Sequence, residues 1–224
     1  MSQQSLKTKL DAVTSNAALR DDALAVVGDV LDKVNAFAAA AEEYRAASKD
    51  RRARPVPADD ELAATPADVV AAIDGVQTAI RTLLFDLGDL STYIRSLVPE
   101  LKEEDNAGVA IQKHVLETIS AYSAALTGQA KEQPAALVHL GAKYDYLKAR
   151  ADLENQLKPS GKDASVPASE SLRRAIHELD NLTLGNVALT YADLRRRCVT
   201  IGSMVARNLS KIEKPRRDGG GMIG

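Results

Sequence analysis

The chain has 224 residues, 45% hydrophobic and 27% charged, a composition that suits a globular protein with one sizeable core or two small ones. Its 29 basic and 31 acidic residues give a net charge of −2, so the overall basic excess that favours nucleic acid or an anionic membrane is missing, and neither is expected as a partner. Cys198 is the single cysteine, which excludes an intrachain disulfide. No apolar run approaches the roughly 20 residues of a membrane span, and Met1-Ser2-Gln3-Gln4 opens no secretory signal. A cytoplasmic location is expected, with the nucleus as the other compartment open to such a chain.

Four long helices are predicted. The first runs from about residue 5 to 48, with Leu10, Val13, Leu24, Val27, Leu31, Val34 and Phe37 at mostly three- and four-residue steps. Residues 49–64 form a polar break containing Pro55 and Pro57. Thr65 is read as an N-cap, with Pro66 at the first helical position and Asp68 near the positive end of the dipole. The second helix, 66–98, carries the most regular stripe: Val69, Ile73, Val76, Ile80, Leu83, Leu87, Leu90, Ile94 and Leu97. Pro99 ends it, since the residue before a proline is pushed out of helical geometry.

The third predicted helix covers 106–157, with a weakening near 127–134 where Gly128 and Pro134 sit among polar residues. Residues 158–169 contain Pro159, Gly161 and Pro167 and read as a loop. The fourth helix, 170–214, has Leu172, Ile176, Leu179, Val187, Leu194, Cys198, Ile201, Val205, Leu209 and Ile212 on one stripe. Mostly short connections between long helices predict an all-α, up-down-up-down four-helix bundle over 1–214. Residues 215–224 form a separate tail. Doublets such as Val69-Val70, Leu83-Leu84 and Leu97-Val98 widen the apolar face. They fit either a wide core stripe or a second buried surface for self-association.

Catalytic and metal chemistry has little to stand on. None of His114, His139 and His177 follows a Glu by three residues, as a di-iron bundle requires. One Cys and three scattered His do not make a zinc site, and no phosphate-cradling glycine loop or nucleophile elbow occurs. No metal, cofactor or catalytic residue is expected. His139 near Lys143 faintly suggests a phosphotransfer helix, Cys198 reads as an inert core thiol, and Arg195-Arg196-Arg197 reads as a solvated or ion-paired face.

Two segments stand out. Pro99, Glu100, Leu101, Lys102, Glu103, Glu104, Asp105, Asn106, Ala107 and Gly108 form a short acidic interruption between two strong helices, with Asp105 or Asn106 as a cap for the third helix. At the other extreme, Lys214-Pro215-Arg216-Arg217-Asp218 and Gly219-Gly220-Gly221 lead to Met222-Ile223-Gly224. Glycines and charges favour a flexible tether, while Met-Ile beside a terminal carboxylate suits insertion into a partner's pocket. In an up-down bundle, the turn between the second and third helices and the end of the fourth lie at one end. The loop and the tail would then face the same partner.

These residues resemble the 11S (REG) proteasome activator family. Asn106-Ala107-Gly108-Val109-Ala110-Ile111-Gln112 is similar to the family's Asn-x-Gly-Val-Ala-Val-Gln, which follows its activation loop. His177-Glu178-Leu179-Asp180 is similar to a segment early in the last helix of mammalian members, and Lys214-Pro215-Arg216 with Gly221-Met222-Ile223 to their C-terminus. Tyr146-Leu147-Lys148-Ala149-Arg150 and Leu157 resemble the divergent protozoan branch. The resemblance runs in order from the second helix onward; the first helix matches by pattern alone.

The resemblance implies a homo-heptameric ring of four-helix subunits that binds the α-subunit ring of the 20S proteasome and uses no ATP. It implies that Gly221, Met222, Ile223 and Gly224 enter pockets between α subunits, where the terminal carboxylate meets a lysine. It further implies that the 99–108 loop opens the gate, with Glu103 as the decisive glutamate and Asn106 and Gly108 shaping the loop. Gly224 stands where mammalian members end in tyrosine, so that position offers backbone alone. The long Lys/Glu-rich insert of some relatives is missing from 49–64. The competing expectation is a helical adaptor or membrane-associated scaffold, which would bind liposomes or partner helices without the tail.

Overall fold

The computed structural model describes residues 17–58, 62, 64–99, 106–129, 139–157 and 170–216, excepting the side chains of 17–19, 22 and 23. Among the described residues, five long α-helices follow one another: α1 Ala17–Ala53, α2 Ala67–Ser96, α3 Ala107–Leu126, α4 Ala142–Leu157 and α5 Glu170–Glu213. No strand occurs among the described residues, and the fold is an all-α helical bundle.

Several predicted boundaries move for local reasons. The first helix continues past Ser48 to Ala53, because residues 49–53 have no helix breaker and Arg51 and Arg52 suit the negative end of the dipole. An ion pair between Arg54 and Asp50 closes the last turn, and Pro55 forbids another. Residues 5–16 of that predicted helix lie outside the described residues.

At the start of α2 it is the Pro66 carbonyl that accepts the Val70 amide, at 3.2 Å, so Pro66 holds the cap position. Thr65, read as the cap, instead turns its hydroxyl toward Glu154, 3.5 Å away. At the other end α2 stops at Ser96. The Leu97 and Val98 amides bond the carbonyls three residues back, a tightened last turn before Pro99.

The third predicted helix is two helices. Gly128 takes φ 79°, left-handed geometry that cannot continue an α-helix, and its amide bonds the Ala125 carbonyl at 3.2 Å. α4 then begins at Ala142. Leu140, inside the span predicted for the third helix, lies in the preceding turn, where Gln77 Nε2 donates to its carbonyl at 2.8 Å. Leu137 and the 158–169 loop lie outside the described residues. α5 ends at Glu213, one residue before the predicted limit, because Lys214 precedes Pro215.

The chain divides into two compact units. The first comprises residues 1–34, 82–124 and 196–224. Its core includes Val30, Leu83, Leu87, Leu90, Ile94, Val115, Ile119, Cys198, Ile201, Val205 and Ile212. Lys33 Nζ pairs with Asp86 at 2.8 Å, joining α1 to α2. Gly202 on α5 lets Leu31 of α1 close in; a Cβ at Gly202 would lie 2.5 Å from Leu31 Cδ2.

The second unit comprises residues 35–81 and 125–195. Phe37, Val69, Ile73, Val76, Ile80, Ile176, Leu184, Val187, Tyr191 and Leu194 are buried in it. Tyr44 of α1 stacks on Tyr191 of α5, with centroids 5.7 Å apart. The α2 stripe from Val69 to Ile94 is buried to 1% exposure or less at all eight predicted positions. Each such aliphatic side chain contributes about 1.5–3 kcal/mol of transfer free energy.

A buried charged cluster anchors the second unit. Arg150 of α4 donates to the Leu62 carbonyl at 3.1 Å and the Ala64 carbonyl at 2.9 Å, and pairs with Glu154 at 3.0 Å. Its Nε lies 3.1 Å from Asp180 Oδ1 on α5, and the Tyr146 hydroxyl donates to the same oxygen at 2.8 Å.

Cys198 is fully buried, and burial pushes its thiol up to about 11. Thiolate is therefore scarce at neutral pH, as expected of a core thiol. Iodoacetamide should leave Cys198 unmodified in native protein at pH 7.5 and alkylate it fully after denaturation. Mass spectrometry reads the difference, and native labelling at the denatured rate would overturn this assignment.

Candidate functional site

The segments that flank the acidic loop and precede the tail meet in the first unit. On α2, the Ser96 hydroxyl donates to the Tyr93 carbonyl at 2.7 Å as the helix ends. At the head of α3, the Asn106 carbonyl accepts the Ala110 amide at 2.9 Å, so Asn106 holds the N-cap position, one of the two residues expected there. On α5, Lys214 closes the helix with its amide on the Ser210 carbonyl at 3.0 Å, and Pro215 and Arg216 follow.

These three ends are tied by a side chain that reads, in the sequence, as one letter of the family-like motif. Gln112, one turn into α3, is fully buried. Its Nε2 donates to the Leu97 carbonyl at 3.2 Å and to the Ile212 carbonyl at 2.7 Å. Both carbonyls belong to the last turns of helices, where intrahelical partners run out. One amide therefore satisfies the ends of α2 and α5 together. The signal in the sequence was a Gln between Gly108 and Val115 on the buried stripe of α3, where a polar group must find partners.

Around this tie sit further contacts. Arg20 Nε at the start of α1 lies 2.6 Å from Glu213 Oε1, and the Tyr93 hydroxyl donates to that oxygen at 3.4 Å. Burial first, then the Glu213 carboxylate, hold the Tyr93 phenol above its ordinary range, so it stays a donor. Gly108 is buried against the Pro215 backbone, and Arg216 Nη2 reaches Asn106 Oδ1 at 3.5 Å. Of the predicted site residues, Pro99, Asn106, Ala107 and Gly108 are thus placed at one end of this unit. Glu100, Leu101, Lys102, Glu103, Glu104, Asp105, Gly221, Met222, Ile223 and Gly224 lie outside the described residues.

The alternatives to a docking role find little here. His139 Nδ1 accepts the Gly141 amide at 3.0 Å, while Lys143 Nζ is 2.7 Å from Asp74. The pair is occupied in shaping the start of α4. Arg195 and Arg196 are exposed, and the Arg197 guanidinium lies 4.7 Å from the Tyr122 ring centroid, a cation–π contact. Among the described residues, no group of His, Cys, Asp and Glu could hold a metal ion, and no helix is long and apolar enough to cross a membrane.

Fold and site together define an all-helical bundle protein whose buried polar chemistry ties helix ends together. Residues 62–221 match the family described as Proteasome activator PA28, C-terminal. The chain belongs to that family, a regulatory one. It is 26% identical over 151 residues to human Proteasome activator complex subunit 3, covering 66% of this chain and 52% of that protein. The chain thus spans about half the length of the curated relatives it matches.

Among solved structures, it resembles a chain in the complex of an archaebacterial 20S proteasome with PA26, with a TM-score of 0.79, 22% identity and full coverage of both chains. It also resembles a chain in the complex of the yeast 20S proteasome with the activator PA26 from the trypanosome T. brucei. There the TM-score is 0.78 and the identity 17%, over 99% of this chain and 100% of that one. At these identities the likeness is one of fold.

Proposed function

We propose that this protein is an ATP-independent activator of the 20S proteasome that cuts nothing itself. The observation that carries the reading is the family match over residues 62–221, which includes the acidic loop and most of the tail. The relatives support it, since the similar structures are complexes of a 20S proteasome with an activator. In this reading residues 1–214 form the helical body and 215–224 the docking segment. Met222, Ile223 and Gly224 enter pockets between α subunits. The 99–108 loop displaces the gate, with Glu103 as its principal contact.

The chain works as a homo-heptamer in the cytoplasm, with the nucleus as a second location. Exposed apolar side chains support self-assembly: Phe85 is 76% exposed, Leu182 56% and Leu189 52%. A ring makes weak tails effective, because each tail after the first binds at high local concentration.

Light scattering beside a 20S peptidase assay tests the reading. We expect an oligomer of heptamer mass and faster hydrolysis of a fluorogenic peptide. A monomer without effect on hydrolysis would overturn it. Glu103→Ala should keep co-sedimentation with 20S particles while reducing stimulation at least about tenfold, as loss of one charge-assisted contact per subunit allows. Full stimulation by that variant would remove Glu103 from the mechanism.

A further inference from the structure

Gly108 and Pro215 come closer than any side chain at position 108 would allow. A Cβ on Gly108 would lie 2.2 Å from the Pro215 carbonyl oxygen and 2.4 Å from its Cα. The obstruction is backbone, so a rotamer change cannot relieve it. Arg216 is held near Asn106, two residues before this contact. One turn further, Gln112 binds the carbonyls of Leu97 and Ile212. Leu97 leads into the acidic loop, and Ile212 stands three residues before Pro215. A single turn of α3 therefore holds both ends of the loop and the root of the tail.

We propose that Gly108 and Gln112 are positioning residues that couple the root of the tail to the acidic loop. The proposal rests on the activator reading above. Through this close-packed junction, a tail seated in its pocket determines where the loop stands against the α-ring. A change at Gly108 displaces the root of the tail from the head of α3, so it weakens tail docking as well as loop action. A tail and loop attached independently to the body would show no such cross-effect.

The test uses the full chain carrying Gly108→Ala. Alanine is the better helix former, so α3 is not weakened by the change itself. Pro215 must move. In the free protein, trypsin should cleave after Arg216 about tenfold faster than in wild type, because the root opens locally. With 20S particles and a fluorogenic peptide, the half-maximal activator concentration should rise, and the maximal stimulation fall, each by about tenfold.

Gln112→Met keeps the volume but removes both donated bonds, and should shift the same three readouts in the same direction. It decides the matter if circular dichroism shows Gly108→Ala to be unfolded. A wild-type half-maximal concentration in the folded variant overturns the coupling, whatever its maximal stimulation, and an unchanged trypsin rate overturns the contact. If wild-type protein itself fails to stimulate, the activator reading fails and the coupling falls with it, while the trypsin comparison still reports on the Gly108–Pro215 junction.

Discussion

Removing Met222, Ile223 and Gly224 should abolish stimulation of 20S peptidase activity while the oligomer persists. The deletion leaves the body intact: the buried core of the described residues extends only as far as Ile212, and Lys214 and Pro215 have already left α5. What the proposed docking would lose is the apolar burial of Met222 and Ile223 in a pocket, about 1.5–3 kcal/mol for each side chain. That loss recurs in every subunit. Linked weak sites raise overall affinity by about 10²–10⁴ over a single one, so loss of all of them together takes docking below the assay range. Light scattering and the peptidase assay read the two halves of the expectation. Stimulation retained by the truncated protein would show that something other than the tail anchors it.

Arg150→Ala should destabilise the fold by about 3–5 kcal/mol, the range for breaking a buried ion pair from one side. Arg150 is 1% exposed and serves four groups at once: the Leu62 and Ala64 carbonyls, Glu154 and Asp180. Alanine leaves the carbonyls without these donors and leaves the Asp180 carboxylate, itself 1% exposed, short of its nearest cation. Arg51, 3.9 Å away, is too distant to replace it fully. Chemical denaturation measures the loss, and a change below about 1 kcal/mol would mean that other groups satisfy the cluster.

The variant's pH dependence has a definite sign. Burial already holds the Asp180 carboxyl above its ordinary range, opposed by the Tyr146 hydroxyl and then by Arg150. Without Arg150 it rises further. A folded-state value above the unfolded one means that folding takes up a proton, so stability is gained as pH falls and lost as pH rises through the raised value. The deficit of Arg150→Ala should therefore shrink as the solution is acidified through that range.

Some of this was legible in one dimension and some was not. The α2 stripe was readable because its steps of three and four keep eight aliphatic side chains on one side of a helix. The prolines at 55, 99 and 215 marked boundaries to within a few residues. Gly128 was visible, but its left-handed backbone, which makes α3 and α4 separate helices, depends on where the chain goes next. Cys198 was placed in the core by its spacing alone. Arg150 read as one member of a family-like segment, with nothing to show that its guanidinium closes onto the connection before α2. Gln112 was likewise a motif letter.

What the sequence by itself determined is the helical period, the punctuation between helices, and the two unusual segments that carry the likeness to activators. These arise from side-chain spacing and from proline and glycine backbone limits, which act within a few residues. What only the tertiary structure decided is which distant groups share a site. Gln112 lies 15 residues from Leu97 and 100 from Ile212, yet one buried amide binds both. Gly108 is a free position until the Pro215 backbone occupies the space of its missing β-carbon. The partners of a buried donor, and the neighbour that forbids a methyl group, are set by packing between helices. No periodicity along a single helix contains that information.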